Sequence, residues 1–239
     1  MKNLKHFIGI FIITFSVNVQ SQSLTINLLG GPGFTYLSNS NLAHTLGTTN
    51  TISTTDSHAG CFGISLTDSI STFFGFNPGV IYSGHNQQYS GRDNSGNTFN
   101  SEIKIRYLDV PLLLRMGESY GFYFEIGPQF SFMLSAAEDA TVNNSQVEIN
   151  KDYSTDFTFF SFAAIAGVGV NMNVSYTTTF NLGFRYGYGL SDVIDETSTL
   201  SSHSLPFIIA KGSNANGTSY AGTRRTFISL LGSLNFAIK

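Results

Sequence analysis

A chain of 239 residues with a formal net charge of −3 and only 11% charged side chains lacks the clustered Lys and Arg that phosphate binding needs, which argues against a nucleic-acid partner. With 22 Phe, 24 Gly and no Trp, the composition reads as sheet with close backbone packing, not as a helix bundle. The single cysteine, Cys61, forms no internal disulfide and offers no metal or redox spacing.

The first residues carry Lys2 and Lys5, then the apolar run FIGIFIITFSV, Phe7 to Val17, then the small and polar NVQSQS. This three-part layout predicts a secretory signal peptide over residues 1–21, with Gln22 opening a single domain over 22–239. The run is far shorter than the ~20 residues that cross a bilayer as a helix.

Alternating segments follow. Strands are expected near Leu24–Tyr36, Ser57–Leu66, Ile70–His85, Glu102–Met116, Gly121–Ala136, Asp156–Asn173, Tyr176–Leu190 and Arg224–Ile238, about eight in all and an even number, as bacterial barrels require. Their connections alternate in length. Thr67–Ser69, Gly117–Tyr120 and Val174-Ser175 are tight. Leu37–Asp56, Asn86–Ser101, Ala137–Thr155 and Ser191–Thr223 are long, rich in Ser, Thr, Asn and Gly, and expected to be loops.

One side of each strand carries long aromatic and aliphatic runs, such as Phe122, Phe124, Ile126, Phe130 and Phe132. The other is mainly Gly, Ser, Thr and Asn with isolated charges. A water-facing side would carry frequent Lys, Glu and Asp, so the polar side reads as a crowded lumen and the apolar side as lipid-facing. Tyr36, Tyr82, Tyr186 and Tyr188 fall on the apolar parity near the long-loop ends and Tyr176 near the short turns, as two interfacial girdles would. The fold class expected is all-β: a transmembrane antiparallel up-and-down β-barrel of about eight strands with long extracellular loops.

The stretch YLDVPLLLRMG followed by FYFEIGPQFSFML, Tyr107–Leu134, resembles the PorT-like outer-membrane β-barrel family, in which a Tyr-Leu, acidic, Pro-Leu-Leu strand precedes a Gly-Pro strand. GVGVNMNV is similar to the strand that follows. The resemblance implies a barrel in a gram-negative outer membrane. The family's namesake supports protein secretion, and the family offers no catalytic motif.

An eight-stranded lumen is just filled by side chains, so its charges need partners. The expected polar network is Asp109, Arg115, Glu125, Gln129 and Arg185, with Arg115 paired to Glu125 and Asp109 to Arg185. Pro32, Pro78, Pro111 and Pro128 stand inside strands, each roughly six to eight residues from the short-turn end, and predict bulges or ladder breaks there. The run LPFIIAKG offers Leu205, Phe207, Ile208 and Ile209 as a binding loop. His203, set among serines and acids, is the one hint of a hydrolase, and chance proximity in a Ser-rich loop accounts for it. No cofactor or metal is expected. The expected partners are outer-membrane lipids and other envelope proteins at the outer loops. A structural or binding barrel is the leading reading. A secretion or envelope-assembly component, a lipid-modifying enzyme and a soluble lipocalin-like barrel are the alternatives.

Overall fold

The computed structural model describes residues 24–38, 51–55, 57–92, 96–118, 120–195 and 222–238. The expected signal peptide, His203 and the candidate binding-loop residues Leu205, Phe207, Ile208 and Ile209 lie outside the described residues.

The described residues form the strands β1 (Leu24–Ser38), β2 (Thr51–Thr55), β3 (Ser57–Ser69), β4 (Phe74–Arg92), β5 (Thr98–Gly117), β6 (Gly121–Val142), β7 (Ser145–Asp152), β8 (Phe160–Asn173), β9 (Thr178–Gly189) and β10 (Arg224–Ile238). Antiparallel ladders run β1–β3–β4–β5–β6–β8–β9–β10 and return to β1. Each of these eight strands therefore has two neighbours, and the ring closes without an edge. β2 pairs with Gln88–Arg92 of β4, and β7 pairs with the Ala137–Val142 end of β6. Both build the sheet upward at the loop end and leave the ring count at eight.

Two expected loops prove to be mostly strand. Asn86–Arg92 pairs with Thr98–Lys104, and Ala137–Val142 pairs with β5 on one side and β7 on the other. Their polar composition hides an intact alternation: Gln87, Tyr89, Phe99, Ser101 and Ile103 are all buried on one face. The first short turn also shifts, from Thr67–Ser69 to residues 70–73, because Ser71 Oγ accepts from the backbone N–H groups of Phe73 and Phe74. The sixth and seventh expected strands start later, at Phe160 and Thr178.

The face assignment follows from burial. Asn27, Leu29 and Thr35 of β1 and Asn181, Arg185 of β9 are buried, while the intervening Leu28, Phe34, Leu182 and Phe184 are exposed. In β6 the parity changes once. Tyr107 opposes Met133 but Arg106 opposes Ser135, so Leu134 is an extra residue in a bulge and even-numbered Ala136, Glu138 and Ala140 turn inward beyond it.

The prolines break ladders without bulging them. Pairing lapses between Gly30/Gly232 and Gly33/Ser229 beside Pro32, between Ser65/Gly79 and Asp68/Phe76 beside Pro78, between Pro78/Leu112 and Ile81/Asp109 beside Pro111, and between Pro111/Gln129 and Leu114/Ile126 beside Pro128. Register is the same on both sides of each gap, so the expected bulges are absent there. A proline lacks the N–H that a central strand donates. Glycine lets the neighbouring backbone close in: a Cβ at Gly127 would lie 2.2 Å from Leu112 O, and one at Gly31 1.8 Å from Leu230 O.

Glycines also seat the large inward side chains. A Cβ on Gly169 or Gly183 would lie 2.4 or 2.5 Å from the Tyr123 hydroxyl, and one on Gly187 2.2 Å from the Phe227 ring. Gly169→Val should therefore cost the folded barrel about 1–3 kcal/mol by overpacking. Combining it with Tyr123→Ser should cost less than the sum of the two single changes, as read by urea unfolding in detergent micelles.

Candidate functional site

Chemistry-bearing side chains concentrate in the lumen, at two levels. The level nearer the short turns is one register row: Arg115 of β5 opposes Glu125 of β6, Glu125 opposes Gly167 of β8, and Gly167 opposes Arg185 of β9. Gly167 has no side chain, and a Cβ there would lie 2.7 Å from the Glu125 side chain. The space lets Arg185 Nε donate to Glu125 Oε1 at 2.5 Å. Arg115 instead stacks on the Tyr123 ring at 3.7 Å, and its Nη2 donates to Asn171 Oδ1.

The upper level centres on Asp109, which is 3% exposed. Ser83 Oγ donates to one carboxylate oxygen and Ser131 Oγ to the other. Arg225 Nη1 lies 3.8 Å from the carboxylate, and Arg225 Nη2 donates to Ser131 Oγ at 2.7 Å. The Arg225 guanidinium rests 4.2 Å from the Tyr107 ring centroid. Ser83 has given its only proton to Asp109, so the 3.1 Å contact to His85 Nε2 has the imidazole as donor, with the proton on Nε2. Gln129 is buried beside Ser131, at 3.4 Å.

All five sequence-derived lumen residues thus face inward, but the ion pairs differ from those expected. Glu125 takes Arg185 rather than Arg115, and Asp109 takes Arg225 rather than Arg185. The signal for Arg225 was its parity, shared with the inward Phe227, Ser229 and Asn235. The signal for the exchange was the missing side chain at Gly167. The arrangement at Ser83 places serine between acid and imidazole. A nucleophile needs the imidazole in the middle, oriented by the acid. Among the described residues, no group of three His, Cys, Asp or Glu side chains can hold a metal.

Above the polar levels lies an apolar cap. Tyr89, Phe99, Ile103, Ile105 and Tyr107 of the tall sheet pack with Tyr153, Phe157, Val193 and Ile194 from the segments that follow β7 and β9. A bridge joins Phe157 to Ile194, and Asp192 Oδ1 accepts from the N–H groups of Ile194 and Thr223. Among the described residues the lumen holds cavities of about 30 and 20 Å³. Ligand pockets run to roughly 300–1,000 Å³, so these spaces fit single waters.

On the outer face of the tall sheet, Lys104 is bonded to Asp139 and stands 3.6 Å from Glu102. The Lys104 ammonium and the Asn150 N–H hold the Asp139 carboxyl below the usual carboxylate range. A depressed carboxylate stabilises above its ordinary pKa of about 3.9 and loses that contribution as pH falls through its folded value. Protection of the amides over residues 98–105, corrected for intrinsic exchange, should therefore fall in that acid window, and Asp139→Asn should abolish the pH step.

A family model described as Outer membrane protein beta-barrel domain matches residues 17–195. No curated protein matches the chain. Among solved structures, the chain is similar to OprG from Pseudomonas aeruginosa (12% identity, TM-score 0.45, covering 91% of this chain and 97% of that one). It is similar to Neisserial surface protein A (11%, 0.41, 91% and 99%) and to the attachment invasion locus protein Ail of Yersinia pestis (10%, 0.34, 91% and 100%).

The buried pair gives a sharp test. Glu125→Leu alone should cost about 3–5 kcal/mol, because it strands the Arg185 charge. Glu125→Leu with Arg185→Met should cost much less than that, and denaturant unfolding of the two variants and the unaltered protein reads the difference.

Proposed function

The chain belongs to the outer membrane protein beta-barrel domain family, and from that premise we propose that it is a sealed barrel, working as a structural and binding protein through its loop end. The observation that carries this reading is the filling of the lumen: among the described residues, two levels of polar side chains lie beneath an apolar cap, and the cavities of about 30 and 20 Å³ beside them are water-sized. A wall whose outward side chains are Leu28, Phe62, Ile64, Phe122, Phe124 and Phe184 has hydrocarbon as its matching solvent, and outer-membrane lipids are its first partners. The pattern over Tyr107–Leu134 supports assignment to the PorT-like group within the family.

Contacts with other envelope proteins belong at the loop end, where β4, β5 and β6 rise beyond the ring and β2 and β7 widen the sheet. Leu205, Phe207, Ile208 and Ile209 enter this proposal as the apolar part of that surface, on the strength of their sequence. A chain with a filled lumen has no catalytic or solute-transport task in its interior.

The test is conductance in planar bilayers. The folded protein should give no stable open-channel steps, and Tyr153→Ala with Phe157→Ala, which thins the cap, should stay silent because the two polar levels remain. Stable channel steps from the unaltered protein would overturn the sealed-barrel reading.

A further inference from the structure

The outward residues of β5 run, from the short-turn end, Leu112, Val110, Leu108, Arg106, Lys104 and Glu102. Apolar wall gives way first to cations and only then to acids, with Asp139 opposite Glu102 at the outermost position. Arg106 is the charge closest to the apolar wall, one step beyond Leu108 and its cross-strand neighbours Tyr82 and Phe132. Its Nη1 donates to Asn86 Oδ1 at 2.7 Å and to Ile105 O at 3.1 Å. Its guanidinium lies over Gly84, where a Cβ would stand 3.0 Å from Nη1. The fork is thus held flat on the outer wall.

Among the described residues, no carboxylate forms an ion pair with Arg106. Lys104 engages both nearby acids, Asp139 and Glu102, and Asn86 Nδ2 binds Glu102. Arg224 on β10 shows the same pattern. It stands beyond Tyr188 and Tyr36 on the outer wall, donates to the Tyr188 hydroxyl at 3.0 Å, and forms no ion pair among the described residues. The lumen arginines Arg185 and Arg225, by contrast, each have a carboxylate within 4 Å.

We propose that Arg106, and Arg224 on the far flank, bind the phosphate of a membrane-lipid headgroup in the leaflet at the loop end. This rests on the reading that the ring spans the outer membrane, and it deepens that reading by naming the lipid class. A planar guanidinium with unused N–H groups matches phosphate oxygens in a two-point contact. A fork already held in place by Asn86 loses less freedom on binding than a mobile lysine. The order of charge along β5 suits a phosphate layer at the membrane surface: the cation meets the layer, and the acids stand clear of it. Glu102 stands four residues along the strand from Arg106, about 13 Å away.

The test uses the full-length protein in neutral-detergent micelles doped with lipid A, or with the same lipid stripped of its phosphates, and native mass spectrometry counts bound lipid. The unaltered protein should retain the phosphorylated lipid preferentially. Arg106→Gln with Arg224→Gln should lower that retention about tenfold, the scale of lost charge-assisted hydrogen bonds. Arg106→Lys should fall in between. Equal retention of both lipids by the unaltered protein, or undiminished retention by the double variant, overturns the proposal. So does displacement of the lipid by millimolar inorganic phosphate, which would mark a site for soluble anions. Insertion into lipid vesicles is scored on the same samples: failure to insert refutes the membrane barrel itself, whereas insertion without lipid preference refutes only the phosphate site.

Discussion

Closure of the backbone ladder is the constraint from which the rest follows. In hydrocarbon no water satisfies an exposed N–H or C=O, so a spanning sheet must return to its first strand. Here β1 meets β10 over most of its length. With eight strands the ring is so narrow that its interior is a packing problem. Tyr123, Phe227 and Glu125 project from their strands into a space that opposing side chains would occupy, and Gly169, Gly183, Gly187 and Gly167 are the positions that yield it. The abundance of glycine and of aromatic residues is thus one feature seen from two sides.

The same narrowness governs charge. A buried ion is tolerated when paired and hydrogen-bonded; Glu125–Arg185 meets that condition directly, whereas Asp109 and Arg225 are linked through Ser131, with the guanidinium against the Tyr107 ring. Arg115 solves the problem differently, through an aromatic face and an amide oxygen. Outside, the requirement lapses, because arginines at the top of the apolar wall reach polar surroundings. Arg185 and Arg225 beside carboxylates within, and Arg106 and Arg224 without one among the described residues at the rim, are what a membrane-embedded wall permits.

The eight strands of the ring, the face of each and the inward placement of Asp109, Arg115, Glu125, Gln129 and Arg185 were legible in the sequence, because a period of two survives any choice of side chain size; β2 and β7 were not. Salt-bridge partners were not, since they depend on which intervening position is empty, and Gly167 decides that only once β8 is set between β6 and β9. Strand ends were also hard to read. Gln87, Tyr89, Phe99 and Ser101 alternate correctly, but Asn, Gln and Ser between them carry the composition of a loop. The prolines announced lost hydrogen bonds correctly. They did not announce bulges, because neighbouring glycines let the sheet bend with register intact, and the bulge found among the described ring residues sits at Leu134, six residues past Pro128.

The height of the wall bears on function more than the ring does. A barrel needs only about 9–11 residues per strand to cross a membrane, yet β4, β5 and β6 have 19, 20 and 22. Their excess buries Tyr89, Phe99, Ile103 and Ile105 against Tyr153, Phe157, Val193 and Ile194, forming a water-excluding core outside the hydrocarbon layer. Such a core stabilises an extended sheet where mobile loops would suffice to connect the strands. It turns the loop end into a rigid platform standing on one flank of the ring. Under the proposed reading, a filled interior beneath this core leaves recognition to the platform and makes the barrel its anchor.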